Sequence, residues 1–243
     1  YIRGKLPEFN NNSVAIVGSR KMSMYGERMT KSFAQEAVKY GYIVVSGLAF
    51  GVDYAAHKAV VDADGITVAV LGGGLMQIHP REHIPLAREI IQKGGAVISE
   101  FPMDFPVSRT SFPRRNRIVS ALSDAVVVIE AGLDSGALIT ANIALEQGKE
   151  IFAVPGNINS IYSLGCNKLI ADGATILTVP EDILRAINVS PGIREEELVS
   201  MGADEQRIFR VLLQQRLFYD HSRRGHSRTV EMDACGRGDP QPL

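Results

Sequence analysis

The 243 residues carry 26 Lys+Arg against 27 Asp+Glu, a formal net charge of -1, with 45% hydrophobic and 22% charged side chains. A chain of this size and balance buries one substantial α/β core, and its charge excludes a globally basic field, so any anion or nucleic-acid site has to be a local patch. Two cysteines without neighbours at metal-ligand or C-x-x-C spacing imply neither a disulfide framework nor a metal site, and no cofactor is expected.

No apolar run is long enough to span a bilayer and no charged-then-apolar leader opens the chain, so the expectation is a cytoplasmic protein without a membrane partner. The opening YIRGKLPEF starts mid-pattern without a methionine and reads as the end of a preceding segment.

In chain order, Val14-Ala15-Ile16-Val17 is a short continuous apolar run of the kind that fills the centre of a parallel sheet. Gly18 stops it. Ser19, Arg20, Lys21 and Ser23 then offer hydroxyls, cations and free backbone N–H groups before a helix from about Glu27 to Tyr40, closed by Gly41. A helix N-terminus after a tight turn is an anion site. The turn is not a common nucleotide motif, because neither G-x-G-x-x-G nor G-x-x-x-x-G-K-[ST] is present.

The second strand, Tyr42–Ser46, runs into Gly47-Leu48-Ala49-Phe50-Gly51 and a helix that carries Asp53 and His57 on one face. The third, Thr67–Leu71, ends in Gly72-Gly73-Gly74. A loop to Pro85 follows, with His79 and His83 spaced four apart but bracketed by prolines, then a helix to about Lys93.

The fourth strand is Ala96–Ser99. A proline-containing connection, Glu100 to Pro113, leads to a basic helical segment at Arg114–Leu122, and the fifth strand is Ala125–Ile129. A helix over Gly136–Gln147, a sixth strand Glu150–Val154 and a further loop, helix and strand through Leu169 and Leu177 complete the series.

Alternation of this regularity predicts an α/β fold: a doubly wound, mostly parallel sheet, extended Rossmann-like, with helices on both faces. The strands end repeatedly in small and polar residues, and the C-terminal edge is where such sheets bind ligands. The expected domains are a core over 1–188, a linker with a short helical appendage over 189–220, and a disordered tail over 221–243, whose sequence has little apolar periodicity.

Two further constellations fall on that edge. Phe112-Pro113-Arg114-Arg115-Asn116-Arg117 sets three guanidiniums and an amide beside an aromatic, a unit suited to phosphodiester oxygens and a stacked base. Arginines at a helix start oppose its dipole unless an anion is near. After Glu130, Ser135-Gly136 opens a helix running through Thr140, whose first N–H groups point back to the same edge. Asp53, His57, Glu130 and Thr140 read as supporting residues: Asp53 as a cap, His57 as a packed or hydrogen-bonded ring, and Glu130 as a cap or hydroxyl acceptor. No nucleophile–base set is apparent, so an enzyme is not expected.

Together VAIVGSRKMSMYG, SGLAFGVDYAAHKA, VAVLGGGL, ISEFP, FPRRNRIVSALSDAVVVIEA, SGALITA, GKEIFAVPGNI and SLGCNKLIADGA resemble the DNA-processing protein A family (DprA, also called Smf) over residues 13–178. The resemblance implies a Rossmann-like domain that binds and protects single-stranded DNA, forms a homodimer, and loads the RecA recombinase during natural transformation. Carried over, the Gly18-Ser19-Arg20 turn would hold backbone phosphate, and Phe112, Arg115, Asn116 and Arg117 would complete the groove; Lys21, Ser23, Gly47, Gly51, Arg114, Ser135 and Gly136 are further candidates for binding single-stranded DNA or its phosphates.

Where that family usually carries Tyr-Pro followed by Asn, this chain has His79-Pro80-Arg81-Glu82-His83. The family's N-terminal helical and C-terminal winged-helix domains are not recognisable in these residues. The alternatives are a phosphoribohydrolase of related fold, whose Pro-Gly-Gly-x-Gly-Thr-x-x-Glu turn is not reproduced here, and a small-nucleotide sensor using the same edge.

Overall fold

A computed structural model describes residues 1–10 and 12–182 of the chain. The chain divides into two units, Tyr1–Gly192 and Ile193–Leu243, and all the described residues lie in the first. The linker, appendage and tail expected beyond residue 188 fall outside the described residues.

Eight strands form one sheet: β1 (Ile2–Gly4), β2 (Ser13–Val17), β3 (Ile43–Ser46), β4 (Thr67–Val70), β5 (Ala96–Ile98), β6 (Ala125–Val128), β7 (Glu150–Ala153) and β8 (Thr175–Ile176). Their order across the sheet is β1-β5-β4-β3-β2-β6-β7-β8. All neighbours pair parallel except β1, which runs antiparallel to β5 with Ile2 opposite Ile98. The helices are α1 (Met24–Lys39), α2 (Val52–Asp62), α3 (Ile84–Gln92), α4 (Ser111–Ala121), α5 (Gly136–Glu146) and α6 (Leu164–Ala171).

The continuous apolar runs are explained by burial on both faces of the sheet. Val14 and Ile16 of β2, with Ala125 and Val127 of β6, pack under α1 and α2 through Phe33, Ala37, Val52 and Val60. Ala15 and Val17, with Val126 and Val128, face α4, α5 and α6 through Val119, Ala141 and Cys166. Leu86 and Ile90 of α3 cover Leu71 and Val97 farther out. The expected fold is therefore present. The antiparallel strand β1 was not expected, because its three residues are all exposed and carry no burial pattern to read.

The topology locates the site. The chain begins the parallel series at β2, winds outward through β3, β4 and β5, and returns to place β6 on the other side of β2. The loops leaving β2 and β6 therefore diverge, and the crevice beyond their carboxyl ends is the switch point of the sheet.

Candidate nucleic-acid interface

A cleft of about 880 Å³ opens at that switch point. Its lining comes from the turn after β2 (Gly18 to Lys21), the first turns of α4 (Phe112, Pro113, Arg115, Asn116), and the loop from Gly132 into α5 as far as Thr140. Ile161, Tyr162 and Leu164 from the approach to α6 complete it, and Gly47, Ala49 and Asp53 lie at its floor.

The turn after β2 is locked by its own hydrogen bonds. The Ser19 N–H donates to the Glu130 carbonyl at 2.7 Å, and the Val52 N–H donates to the Ser19 carbonyl at 3.1 Å. The Ser19 hydroxyl donates to the Lys21 carbonyl and accepts from the Lys21 N–H. Ser23 caps α1 and donates both its N–H and its hydroxyl to the Glu130 carboxylate, at 2.8 and 2.6 Å. The N–H groups of Ser19, Lys21 and Ser23, expected to be free for an anion, are thus spent inside the protein. Ser23 and the buried Glu130 lie off the cleft and fix the start of α1. What the turn presents is two exposed side chains, Arg20 and Lys21, neither with a carboxylate partner among the described residues. The Arg20 guanidinium sits 4.9 Å from the centre of the Phe112 ring.

The floor is equally fixed. Asp53 Oδ2 accepts from the N–H groups of Gly47 and Ala49, at 3.1 and 3.4 Å, holding the Gly47–Gly51 loop against α2. Leu48 takes a positive φ of 56°, costly for a side chain of its kind, and its carbonyl accepts from Nδ1–H of His83 at 2.8 Å. Gly51, at φ 74°, packs so closely on Ser19 that a Cβ would overlap the Ser19 carbonyl.

Arg115, expected on the ligand, instead serves this floor: only 4% exposed, it donates through Nη1 to the carbonyls of Gly47 and Val70. A Cβ on Gly47 would fall on its guanidinium. Burial pushes the Asp53 carboxyl above its ordinary value, opposed by the Arg115 charge. Burial likewise pulls Arg115 down, with Asp53 opposing and Arg20 adding.

The basic helix starts earlier than expected, at Ser111, which puts Phe112 and Pro113 in its first turn. Helical spacing then separates its polar residues. Asn116 faces the cleft, accepting from Arg115 Nε at 3.1 Å and donating to the Gly136 carbonyl at 3.5 Å. Arg114 and Arg117, expected in the groove, lie outside its lining and converge on Glu100 Oε2, at 3.7 and 2.5 Å. Glu100 is the anion that a basic helix start requires. Ser135 caps α5, accepting from the Ala137 N–H at 3.3 Å, and Gly136 lines the cleft.

His57 is fully buried away from the cleft. Thr67 donates its hydroxyl to the Val44 carbonyl, so His57 Nδ1–H donates to Thr67 at 2.7 Å and Nε2 is left without a partner. Burial accordingly pulls its pKa down to about 3.

Sequence reasoning missed Arg109, Leu133, Asp134, Ile139, Ile161 and Tyr162, all in the lining. Except for Ile139 they lie in loops, where no periodicity marks them. The available signal was the presence of apolar residues in the glycine-containing loops after β6 and β7. Among the described residues, no group of three or more His, Cys, Asp or Glu is arranged to hold a metal. None of the helices there is long and apolar enough to cross a membrane.

A doubly wound, mostly parallel sheet with a cleft at its switch point defines the chain as a Rossmann-like α/β protein. The chain belongs to the DNA recombination-mediator protein A family, which matches residues 1–188. It is 48% identical to protein Smf of Escherichia coli over 184 residues, 76% of this chain and 49% of that protein. The chain therefore spans about half the length of that curated relative.

Among solved structures it resembles DNA processing protein A of Streptococcus pneumoniae, with 37% identity, a TM-score of 0.69, and coverage of 76% of this chain and 64% of the other. The Helicobacter pylori protein of the same name, whose structure describes a single-stranded DNA binding mode, gives 31% identity, a TM-score of 0.68, and coverage of 76% and 84%. The resemblance read from the motifs is thereby confirmed.

Proposed function

We propose that the cleft captures single-stranded DNA without base chemistry, and that a cytoplasmic homodimer carrying it protects incoming strands and loads RecA recombinase during natural transformation. The observation that carries the reading is the pairing of Arg20 with Phe112. Two segments more than ninety residues apart in sequence set an unpaired guanidinium against an aromatic ring at the mouth of the cleft. A cation for the phosphate beside a surface for the base is the combination that sequence-tolerant single-strand binding needs. The relative from H. pylori binds single-stranded DNA, and it shares the fold across most of its length.

The reading favours binding over catalysis. The carboxylates of Asp53 and Glu130 already accept from backbone N–H groups and a hydroxyl, and the His57 ring is sealed in the core. None of the three is poised to exchange a proton with a ligand.

Gel shifts with single-stranded and duplex oligonucleotides at two salt concentrations test this. Single strands are expected to bind more tightly, with affinity falling as salt rises. Arg20→Ala should lower the log–log salt slope by roughly 0.7, the value of one phosphate contact on a single strand. Duplex binding of equal strength, or an unchanged slope in Arg20→Ala, refutes the proposal.

A further inference from the structure

The two histidines spaced four apart, in the stretch where this chain departs from its family's usual pattern, take different places in the fold. His79 is exposed, whereas His83 is only 4% exposed, closes a single helical turn over Arg81–His83 and immediately precedes α3. His83 lies outside the lining of the cleft and is not placed to touch a ligand there. Its ring packs against those of Phe50 and Tyr54, with centroids at 5.0 and 4.6 Å, and Nδ1 faces the Leu48 carbonyl at 2.8 Å. A carbonyl only accepts, so Nδ1 carries the hydrogen.

That hydrogen bond acts on the most strained peptide of the floor. Leu48 holds a φ of 56° with its side chain fully buried beside Leu71, Leu75 and Leu86. The peptide that follows is gripped at both ends: its carbonyl by His83, and its N–H, that of Ala49, by Asp53 Oδ2 at a long 3.4 Å. A buried carbonyl without a donor is costly, and a left-handed leucine adds to that cost. Without the His83 N–H, turning this peptide over relieves both, and the long bond to Asp53 is the only hydrogen bond left on it among the described residues.

The residues that follow are the backing of the turn after β2. Gly51, at φ 74°, packs so tightly that a Cβ would overlap the carbonyls of both Ser19 and Arg20, and the Val52 N–H donates to the Ser19 carbonyl. Arg20 stands on that backing, with its guanidinium 4.9 Å from the centre of the Phe112 ring. Turning over the Leu48–Ala49 peptide shifts Gly51 and Val52, and with them the backbone that aims Arg20.

Resting on single-strand binding at the cleft, we propose that His83 is a positioning residue: by donating to Leu48 it holds the Gly47–Gly51 loop in the shape that aims Arg20 at a phosphate. The connection between β4 and α3 thereby controls a site that it does not enter.

Substitutions at His83 separate the donor from the bulk of the ring. The amide nitrogen of Asn stands as many bonds from the backbone as Nδ1 and can replace it, whereas that of Gln stands one bond farther out and cannot. Affinity for an oligo-dT strand is measured at two salt concentrations for the unmodified chain, His83→Asn, His83→Gln, Arg20→Ala and His83→Gln/Arg20→Ala. Amide exchange at Val52, with Val127 of the core as a control, is followed in each without DNA. His83→Asn should bind within about twofold of the unmodified chain, and His83→Gln about tenfold more weakly with a reduced salt slope. Adding Arg20→Ala to His83→Gln should lower the slope by less than about 0.2, against roughly 0.7 in the unmodified chain, because both changes remove one contact. The Val52 amide should exchange at least about tenfold faster in His83→Gln, but not in His83→Asn, while Val127 is unchanged.

Equal affinity of the Asn and Gln variants, a full Arg20 effect in the Gln background, or unchanged Val52 exchange overturns the positioning role. Faster exchange at Val127 as well would mean a general loss of stability and overturns it too. Single-strand binding survives these results if Arg20→Ala still lowers the slope of the unmodified chain, whereas failure of the oligonucleotide to bind removes both readings.

Discussion

Two groups of arginines stand near the same edge of the sheet and are used differently. Arg20 and Arg109 reach the cleft without a carboxylate partner among the described residues. Arg114 and Arg117, on the outer face of α4, share Glu100, while Arg115 between them is buried under the Gly47 loop. The difference shows that what an arginine does is set by its partner and its burial, not by the density of positive charge around it. A run of three arginines supplied one structural strut and two surface charges that share a single carboxylate, whereas Arg20 stands in the cleft with no carboxylate partner among the described residues.

The largest expected break in this comparison is at Arg115. Arg115→Ala leaves the Gly47 and Val70 carbonyls unpaired and removes the positive charge that opposes Asp53 burial. Stability should drop by about 3 kcal/mol or more, read as a shift in the urea midpoint. A variant that keeps its stability but loses DNA affinity would return Arg115 to the ligand surface.

His57 gives the next effect, one that depends on pH. Its neutral form is held in the fold down to about pH 3, whereas the unfolded ring takes up a proton near 6.5. Between these values the unfolded state binds the extra proton, so stability is full above about 6.5 and falls as pH drops toward 3. The slope of unfolding free energy against pH between 4 and 6 should be reduced by about 1.4 kcal/mol per unit in His57→Gln, the value for one proton. Equal slopes in the two proteins would mean that the buried ring is protonated.

The smallest effect sharpens the contrast directly. With Glu100 neutralising it, Arg117→Ala should change the salt slope for single strands by well under the ~0.7 expected of Arg20→Ala. Glu100→Gln should raise the slope by freeing Arg114 and Arg117. A full loss of ~0.7 in Arg117→Ala would place that residue on the strand and erase the distinction.

Most of the fold was legible because both faces of the sheet are buried: runs such as Val14–Val17 and Ala125–Ile129 have no other stable use, and glycines punctuate them. Strand β1 escaped because its residues are exposed and it exists only by pairing with β5. The site was legible as segments. The turn at Gly18, the basic helix and the Ser135 cap all reach one edge, as their position after parallel strands requires.

Sequence by itself determined the layered sheet, the edge that carries the site and the family to which the chain belongs, since these follow from local pattern and motif order. Tertiary structure alone decided which groups are available there. It spent the Ser19 N–H on the Glu130 carbonyl, the Lys21 N–H on the Ser19 hydroxyl and the Ser23 N–H on the Glu130 carboxylate, buried Arg115, and paired Arg117 with Glu100. The physical reason is that burial, ion pairing and most of these hydrogen bonds depend on partners outside the local segment, 17 residues away for Arg117 and Glu100 and 107 for Ser23 and Glu130, which no local spacing encodes.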